Sequence, residues 1–198
     1  MAVSAIFFLA RHGSHAEVGH VLSGRSQIGL STAGRAQAAS LALKCAFYGV
    51  REIQTSPRPR ARETAEEIAA QLGLEIETVA ALDEIDFGSW AGRSFDDLDG
   101  DPEWRHWNER RSAACPPGGE TMGAAVARVV EHLDRLAAEG RSHVLCVSHC
   151  DPIRGGIAHY LGLPLDQVLR FDIDPASLSS LAIDASGGRL LRLNEVPQ

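Results

Sequence analysis

Val3-Ser4-Ala5-Ile6-Phe7-Phe8-Leu9-Ala10-Arg11-His12-Gly13 is the stretch that decides how this chain is read. From Val3 to Ala10 only Ser4 is polar, and a continuous apolar run, as opposed to an alternating one, reads as a strand buried on both faces inside a parallel sheet. Open sheets of that kind hold ligands beyond the carboxyl ends of their strands, so Arg11 and His12 are expected at a binding crevice. A guanidinium beside an imidazole there suits a phosphate group. Alone, an Arg-His pair after a strand is commonly a solvated loop. A second stretch repeats the setting: Val144-Leu145-Cys146-Val147-Ser148 ends on His149, and a helical segment opened by Asp151-Pro152 follows.

Two further segments lie between these histidines. Thr55-Ser56-Pro57-Arg58-Pro59-Arg60-Ala61-Arg62-Glu63-Thr64-Ala65 follows a candidate strand at 51–55 and runs into a helix, and Leu82-Asp83-Glu84-Ile85-Asp86-Phe87-Gly88-Ser89-Trp90-Ala91-Gly92 sets carboxylates in an aromatic, glycine-rich stretch. Together the four segments resemble the histidine phosphatase superfamily, the phosphoglycerate mutase-like family, whose motifs are an RHG triplet, a TSPLxRAxxTA stretch, an E-x-x-x-G-x-W/E-G acid loop and a VSHG-like second histidine. All four stand in the family's order over most of the chain, from residue 5 to about 156. The conjunction is far more specific than any one motif.

Composition bounds the reading. A length of 198 residues fits one α/β domain spanning 1–198. Hydrophobic content of 44% and charged content of 23% are those of an ordinary soluble globular protein. The first apolar stretch has no basic leader and is shorter than a membrane span, so a cytoplasmic protein is expected. The four cysteines (Cys45, Cys115, Cys146, Cys150) have no CxxC spacing and are expected to be reduced. A net charge of −7 argues against nucleic acid or an anionic membrane as partner. The expected partner is a small phosphate ester drawn in by a local cationic pocket, and a homodimer is left open. Lys44, the single lysine, sits in a helical stretch and rules out a P-loop.

Strands are expected at 3–10, 51–55, 74–79 and 143–148, with a terminal hairpin of 171–184 and 189–194 about Ser186-Gly187-Gly188. Helices are expected at 31–46, capped by Ser31, at 61–72 with Pro59 in the preceding turn and Gly73 closing it, at 120–139, and from 151 to about 161. Alternating strands and helices imply a mostly parallel sheet covered on both faces. The resemblance implies the same fold class: α/β, a three-layer α/β/α sandwich with a mostly parallel central sheet. The segment 83–117 holds all three tryptophans, Trp90, Trp104 and Trp107, and reads as a cap-like insertion over a pocket or as a long loop anchored to the body by its rings.

The resemblance implies a metal-independent phosphomonoesterase acting on a small phosphorylated metabolite, with no cofactor. His12 would be the nucleophile that forms a phosphohistidine, Arg11, Arg60 and His149 would hold the phosphoryl oxygens, and Glu84 would be the general acid, in competition with Asp83 and Asp86. Arg58 and Arg62 read as surface charges. Three positions depart from the family pattern. Val18 stands where an asparagine follows RHGETxx, so one phosphate ligand is missing or replaced: His15, His20 or the Ser23-Gly24-Arg25 turn would substitute for it, and a plain surface loop is the alternative reading. Cys150 stands where glycine follows the second histidine and would line the substrate site, where a cationic pocket could activate its thiol. Glu120, after Pro116-Pro117-Gly118-Gly119, reads as a helix-start carboxylate or a substrate contact.

Other readings are a cofactor-dependent phosphoglycerate mutase, a non-catalytic phospho-ligand binding module, and a metallohydrolase, for which His12-x-x-His15 and His149-Cys150-Asp151 lack zinc spacing.

Overall fold

The computed structural model describes residues 4–197, so Val3, the first residue of the expected opening strand, lies outside the described residues. In chain order the elements are β1 (Ala5–Arg11), α1 (Thr32–Phe47), β2 (Glu52–Thr55), α2 (Pro59–Leu72), β3 (Ile76–Thr78), α3 (Phe95–Asp99), α4 (Pro102–Glu109), α5 (Met122–Ala138), β4 (Val144–Ser148), α6 (Cys150–Tyr160), β5 (Leu178–Asp184) and β6 (Gly187–Glu195). Short 3-10 turns stand at Ala80–Leu82, Gly88–Trp90 and Leu165–Arg170. The six strands form one sheet in the order β3-β2-β4-β1-β5-β6. The first four are parallel, β5 returns antiparallel to β1, and β6 pairs antiparallel with β5.

The apolar run of β1 divides between two cores because successive side chains of a strand point to opposite faces. Phe8 and Ala10 pack with Leu41 and Cys45 of α1 and Ala65 and Ile68 of α2. Phe7 and Leu9 pack with Leu133 and Leu136 of α5 and Ile153 and Ile157 of α6. The architecture is therefore the three-layer α/β/α sandwich with a mostly parallel sheet. The helix ends follow their sequence signals. Ser31 accepts a hydrogen bond from the Gly34 amide at the start of α1, Pro59 opens α2 in its first turn, and Gly73 closes α2 at φ +67°.

Three expectations need correction. The third strand, expected at 74–79, is only Ile76–Thr78, a short edge strand against β2, which leaves little backbone for another chain to pair with. Residues 171–177 are not part of the hairpin's first strand: Ala176 takes a positive φ of 57° and its amide bonds to the Arg11 and His12 carbonyls, which breaks the extended run before Leu178. Helix α5 begins at Met122 behind a Thr121 cap, so Glu120 lies outside its first turn, where Arg25 and Arg128 bond its carboxylate. The three tryptophans are buried and form a third core with Phe87, Leu98 and the Met122, Val126 and Val130 side of α5. Edge-to-face contacts of Trp90 with Trp104, at 5.4 Å between ring centroids, and of Phe87 with Trp107, at 6.1 Å, knit this segment to the body.

Candidate active site

Strand order explains why residues 137 positions apart meet: β1 and β4 are parallel neighbours in register, Arg11 opposite Ser148, so the next residue of each strand leaves the sheet at the same level. His12 and His149 are those residues, and their ring centroids are 5.1 Å apart. Strand β2 borders β4 on the other side, with Thr55 opposite Val147, so Ser56 and the first turn of α2 with Arg60 open onto the same crevice. The acid loop is tied there by the Ser148 hydroxyl, which donates to the Leu82 carbonyl at 2.7 Å.

His12 is buried, and its Nδ1 lies 2.8 Å from the Gly13 carbonyl oxygen, a contact that only an N–H makes. The lone pair of the neutral ring is then on Nε2, which accepts a hydrogen bond from Nε of Arg60 at 3.1 Å. Burial and the charges of Arg60 and Arg11 hold its pKa well below the usual histidine range, so the ring is neutral near pH 7. Thr64 connects the two motifs: it accepts from the Gly13 amide at 3.0 Å and donates to the Arg60 carbonyl at 2.7 Å. Arg60 is 1% exposed, donates from Nη2 to the Gly24 carbonyl at 2.6 Å, and has no partner for Nη1 among the described residues. Arg11 is held by the Ile173 carbonyl at 2.6 Å, and its buried Nε is likewise unpartnered. His149 is fully buried. Its Nε2 is 2.8 Å from the Ser56 hydroxyl, which donates onward to Asp83, and its Nδ1, unpartnered, faces Glu84 at 3.8 Å.

The carboxylates separate cleanly. Asp83 is ion-paired with Arg58 at 2.9 Å and accepts from the Glu84 amide, while Asp86 is turned back onto the Gly88 amide. Glu84 is the one that lines the cavity. Its pKa is pushed up to about 7 by burial, with Asp151 adding to the rise and Arg60 opposing it.

The cavity measures about 280 Å³ and is walled by Arg11, His12, His15, Arg60 and Glu84 at its inner end. Ser23, Gly24 and Cys150 line it; Arg25 does not. Its guanidinium is taken up by Glu120 at 3.1 Å, Asp86 at 3.5 Å and Asp83 at 3.6 Å. Of the groups weighed against Val18, His15 is buried on the cavity wall, with its ring 5.2 Å from that of His12, whereas His20 is exposed. Arg62 is the surface charge expected, but Arg58 is mostly buried in its pair with Asp83. The Cys150 thiol is not activated: burial and Asp151 push it up to about 11. Among the described residues no group of three or more His, Cys, Asp or Glu side chains is arranged to hold a metal ion.

The outer wall was not foreseen. Arg111, 5% exposed, donates to Asp151 at 2.7 Å and to Asn108 at 3.0 Å and lies over the Trp107 ring. Asn108, Asp151 and Arg154 line the cavity beside it, facing Phe95 and Trp104. No local pattern marks Arg111, because an arginine after a short helix reads as a solvated charge.

The family model described as histidine phosphatase superfamily (branch 1) matches residues 7–196. The chain belongs to this superfamily. Among its relatives, a bifunctional protein of Mycobacterium tuberculosis is 35% identical over 176 residues, covering 86% of the chain and 48% of that protein; the chain thus spans about half the length of this relative. Phosphoserine phosphatase 1 of Hydrogenobacter thermophilus is 31% identical over 83% of the chain and 80% of its own length. A solved mycobacterial glucosyl-3-phosphoglycerate phosphatase superposes with a TM-score of 0.87 at 27% identity, covering 97% of the chain and 99% of that structure. No helix among the described residues is long and apolar enough to cross a membrane.

Proposed function

We propose that the chain is a phosphomonoesterase that acts without a metal, through a phosphohistidine at His12, on a small phosphorylated metabolite. The observation that carries this reading is a neutral His12 with its lone pair on Nε2, set among Arg11, Arg60 and His149 and facing a carboxyl poised near neutral pH. The relatives named as phosphatases support it.

A phosphate monoester is doubly negative and repels a nucleophile unless fixed positive charge and donors absorb that charge. Arg11 and Arg60, each with a buried donor that no described residue satisfies, fill this role. In the first step His12 Nε2 forms a bond to phosphorus as the ester P–O bond breaks, and Glu84, protonated, gives its proton to the leaving alkoxide. In the second, water attacks the phosphohistidine and loses a proton to the Glu84 carboxylate. The P–N bond then breaks with its electron pair returning to Nε2, and inorganic phosphate leaves. A carboxyl titrating near 7 is matched to giving a proton in one step and taking one in the next. The outer wall around Arg111, Asp151 and Trp104 faces the leaving group.

The test is phosphate release from 4-nitrophenyl phosphate and from 3-phosphoglycerate with a catalytic amount of the bisphosphate. Activity that survives chelation by EDTA and is lost in His12→Ala is expected. Loss in EDTA restored by zinc or magnesium overturns the metal-independent reading. Conversion of 3-phosphoglycerate to its 2-isomer without phosphate release makes the chain a mutase.

A further inference from the structure

Beside the nucleophile stands a second imidazole that has no part in the steps above. His15 is 8% exposed and lies on the cavity wall, its ring centroid 5.2 Å from that of His12 and tilted 37° to it. Its Nδ1 is buried and has no partner among the described residues. A buried polar nitrogen left unbonded is costly to keep where a hydrocarbon side chain could pack, so its presence on a cavity wall calls for a ligand. The charges that act on the ring are Arg60 on α2 and Arg11 at the end of β1, which disfavour a proton on it, and Glu17 in its own loop, held by the Ser23 hydroxyl at 2.6 Å, which favours one; the neighbouring nucleophile is neutral. Burial, the largest influence, acts with the two arginines against the one partly exposed carboxylate, lowers the pKa to about 4 and keeps the ring neutral. An anion between the two arginines offsets their charge and favours a proton on the ring.

We propose that His15 is a third imidazole of the phosphate site, which binds the phosphoryl group as an imidazolium and takes up one proton from solvent as the anion enters. The inference rests on the phosphomonoesterase reading, since it requires the phosphoryl group to lie against His12. A phosphorus atom in line with His12 Nε2 at roughly 3–3.5 Å brings its non-bridging oxygens within hydrogen-bond reach of the neighbouring ring. The proton sits on His15 while phosphate is bound and returns to solvent on its release. Affinity for the phosphoryl end therefore strengthens as pH falls from the bound-state pKa of His15 toward its free value of about 4.

The test uses inorganic phosphate as probe and reads the imidazole proton–nitrogen correlations of the wild-type protein, assigned through the bonds of each histidine, at pH 5.5 to 7.5. On saturation the His15 nitrogens are expected to move from neutral to imidazolium positions. His15→Phe should bind phosphate roughly 10- to 100-fold more weakly, the range expected for loss of one charge-assisted hydrogen bond. His15→Asn should recover part of the affinity, but with a pH dependence shallower by up to one proton. A His15 ring that stays neutral at saturation, or variants that bind phosphate with wild-type affinity and pH dependence, overturns the proposal. Because the charge state is read on the wild type, a variant that fails to fold leaves the test intact. Arg60→Ala separates the two readings: phosphate binding that depends on Arg60 but not on His15 removes this inference alone, and binding that depends on neither removes the phosphomonoesterase reading with it.

Discussion

Nε of Arg60 donates a hydrogen bond to Nε2 of His12 at 3.1 Å, so the arginine assigned to the phosphoryl oxygens is bonded to the lone pair of the nucleophile itself. The phosphoryl oxygens must take over those donors before Nε2 can attack.

Arg60→Ala should accordingly lower kcat on 4-nitrophenyl phosphate by roughly 100- to 1,000-fold or more, the scale for removing a preorganised donor. Arg62→Ala should stay near wild type, because Arg62 is an exposed side chain of α2 whose one ion pair among the described residues is with Glu66. Equal losses in the two variants would break the assignment of Arg60.

Glu84→Gln removes the proton donor while keeping the side chain's shape. With an alkyl ester both steps should slow, by roughly 100- to 10,000-fold. An aryl ester, whose phenolate leaves unaided, should load His12 faster than water can clear it. Intact mass after an acid-free quench should then show one added phosphoryl group, labile to acid and missing from His12→Ala. A phosphoryl group on a serine or cysteine would reassign the nucleophile.

The pH profile follows from the Glu84 carboxyl, pushed up to about 7. The first step needs it protonated, so kcat/KM should fall as pH rises through about 7, up to tenfold per pH unit. In Glu84→Gln that limb should vanish, and a limb that persists would assign it to another group.

Stability should depend on pH with two opposing signs. His12, His149 and His15 are bases with native pKa values depressed below 6.5, that of His15 to about 4. Below 6.5 the unfolded chain binds more protons than the native one, so stability falls as pH drops through that window. Glu84 is an acid raised from 4.5 to about 7 and loses stability in the other direction, as pH rises from about 4.5 to about 7. Urea midpoints from pH 4 to 7 should show His15→Asn flattening the acid limb by roughly 1–3 kcal/mol. An unchanged limb would mean that His15 is already charged in the native state.

Gly34→Ala on α1 sets two effects against each other. Alanine gains about 1 kcal/mol of helix propensity. Its Cβ, however, would run into the Ser14 carbonyl oxygen, which is backbone and cannot rotate away. Overpacking of that kind costs typically about 1–3 kcal/mol, so the variant should be destabilised, and its kcat should fall because the displaced loop carries His15. Gly123→Ala, whose Cβ meets open space in α5, should be neutral or stabilising by up to about 1 kcal/mol in the same melts. A Gly34→Ala protein as stable and active as wild type would show that the loop yields freely.

Much of the fold was legible because it is encoded locally. The period of apolar residues tells strand from helix, and Ser31, Pro59 and Gly73 mark helix ends through bonds and dihedrals reaching only a few residues along the chain. The elements misjudged, β3 and residues 171–177, are those whose extent depends on distant partners: β3 pairs with a single neighbour, and the amide of Ala176 bonds to carbonyls that follow the β1 run.

By itself the sequence determined where the chemistry-bearing residues leave the sheet. Arg11, His12 and His149 follow apolar runs that read as strands of a buried parallel sheet, so each is placed at a carboxyl end; that the two strands are neighbours was decided by the strand order. Only the tertiary structure decided which of the remaining charges face the cavity. Arg58 and Arg60 are two residues apart on one motif, yet Asp83 claims the first and His12 the second. Arg25 is drawn off by Asp83, Asp86 and Glu120, Glu84 is left to titrate near neutrality, and Arg111 is carried to the outer wall by its stacking on Trp107. The reason is physical: periodicity and capping act over a few residues, whereas competition among ion pairs and the desolvation that shifts a pKa depend on groups that are neighbours only once the chain has folded.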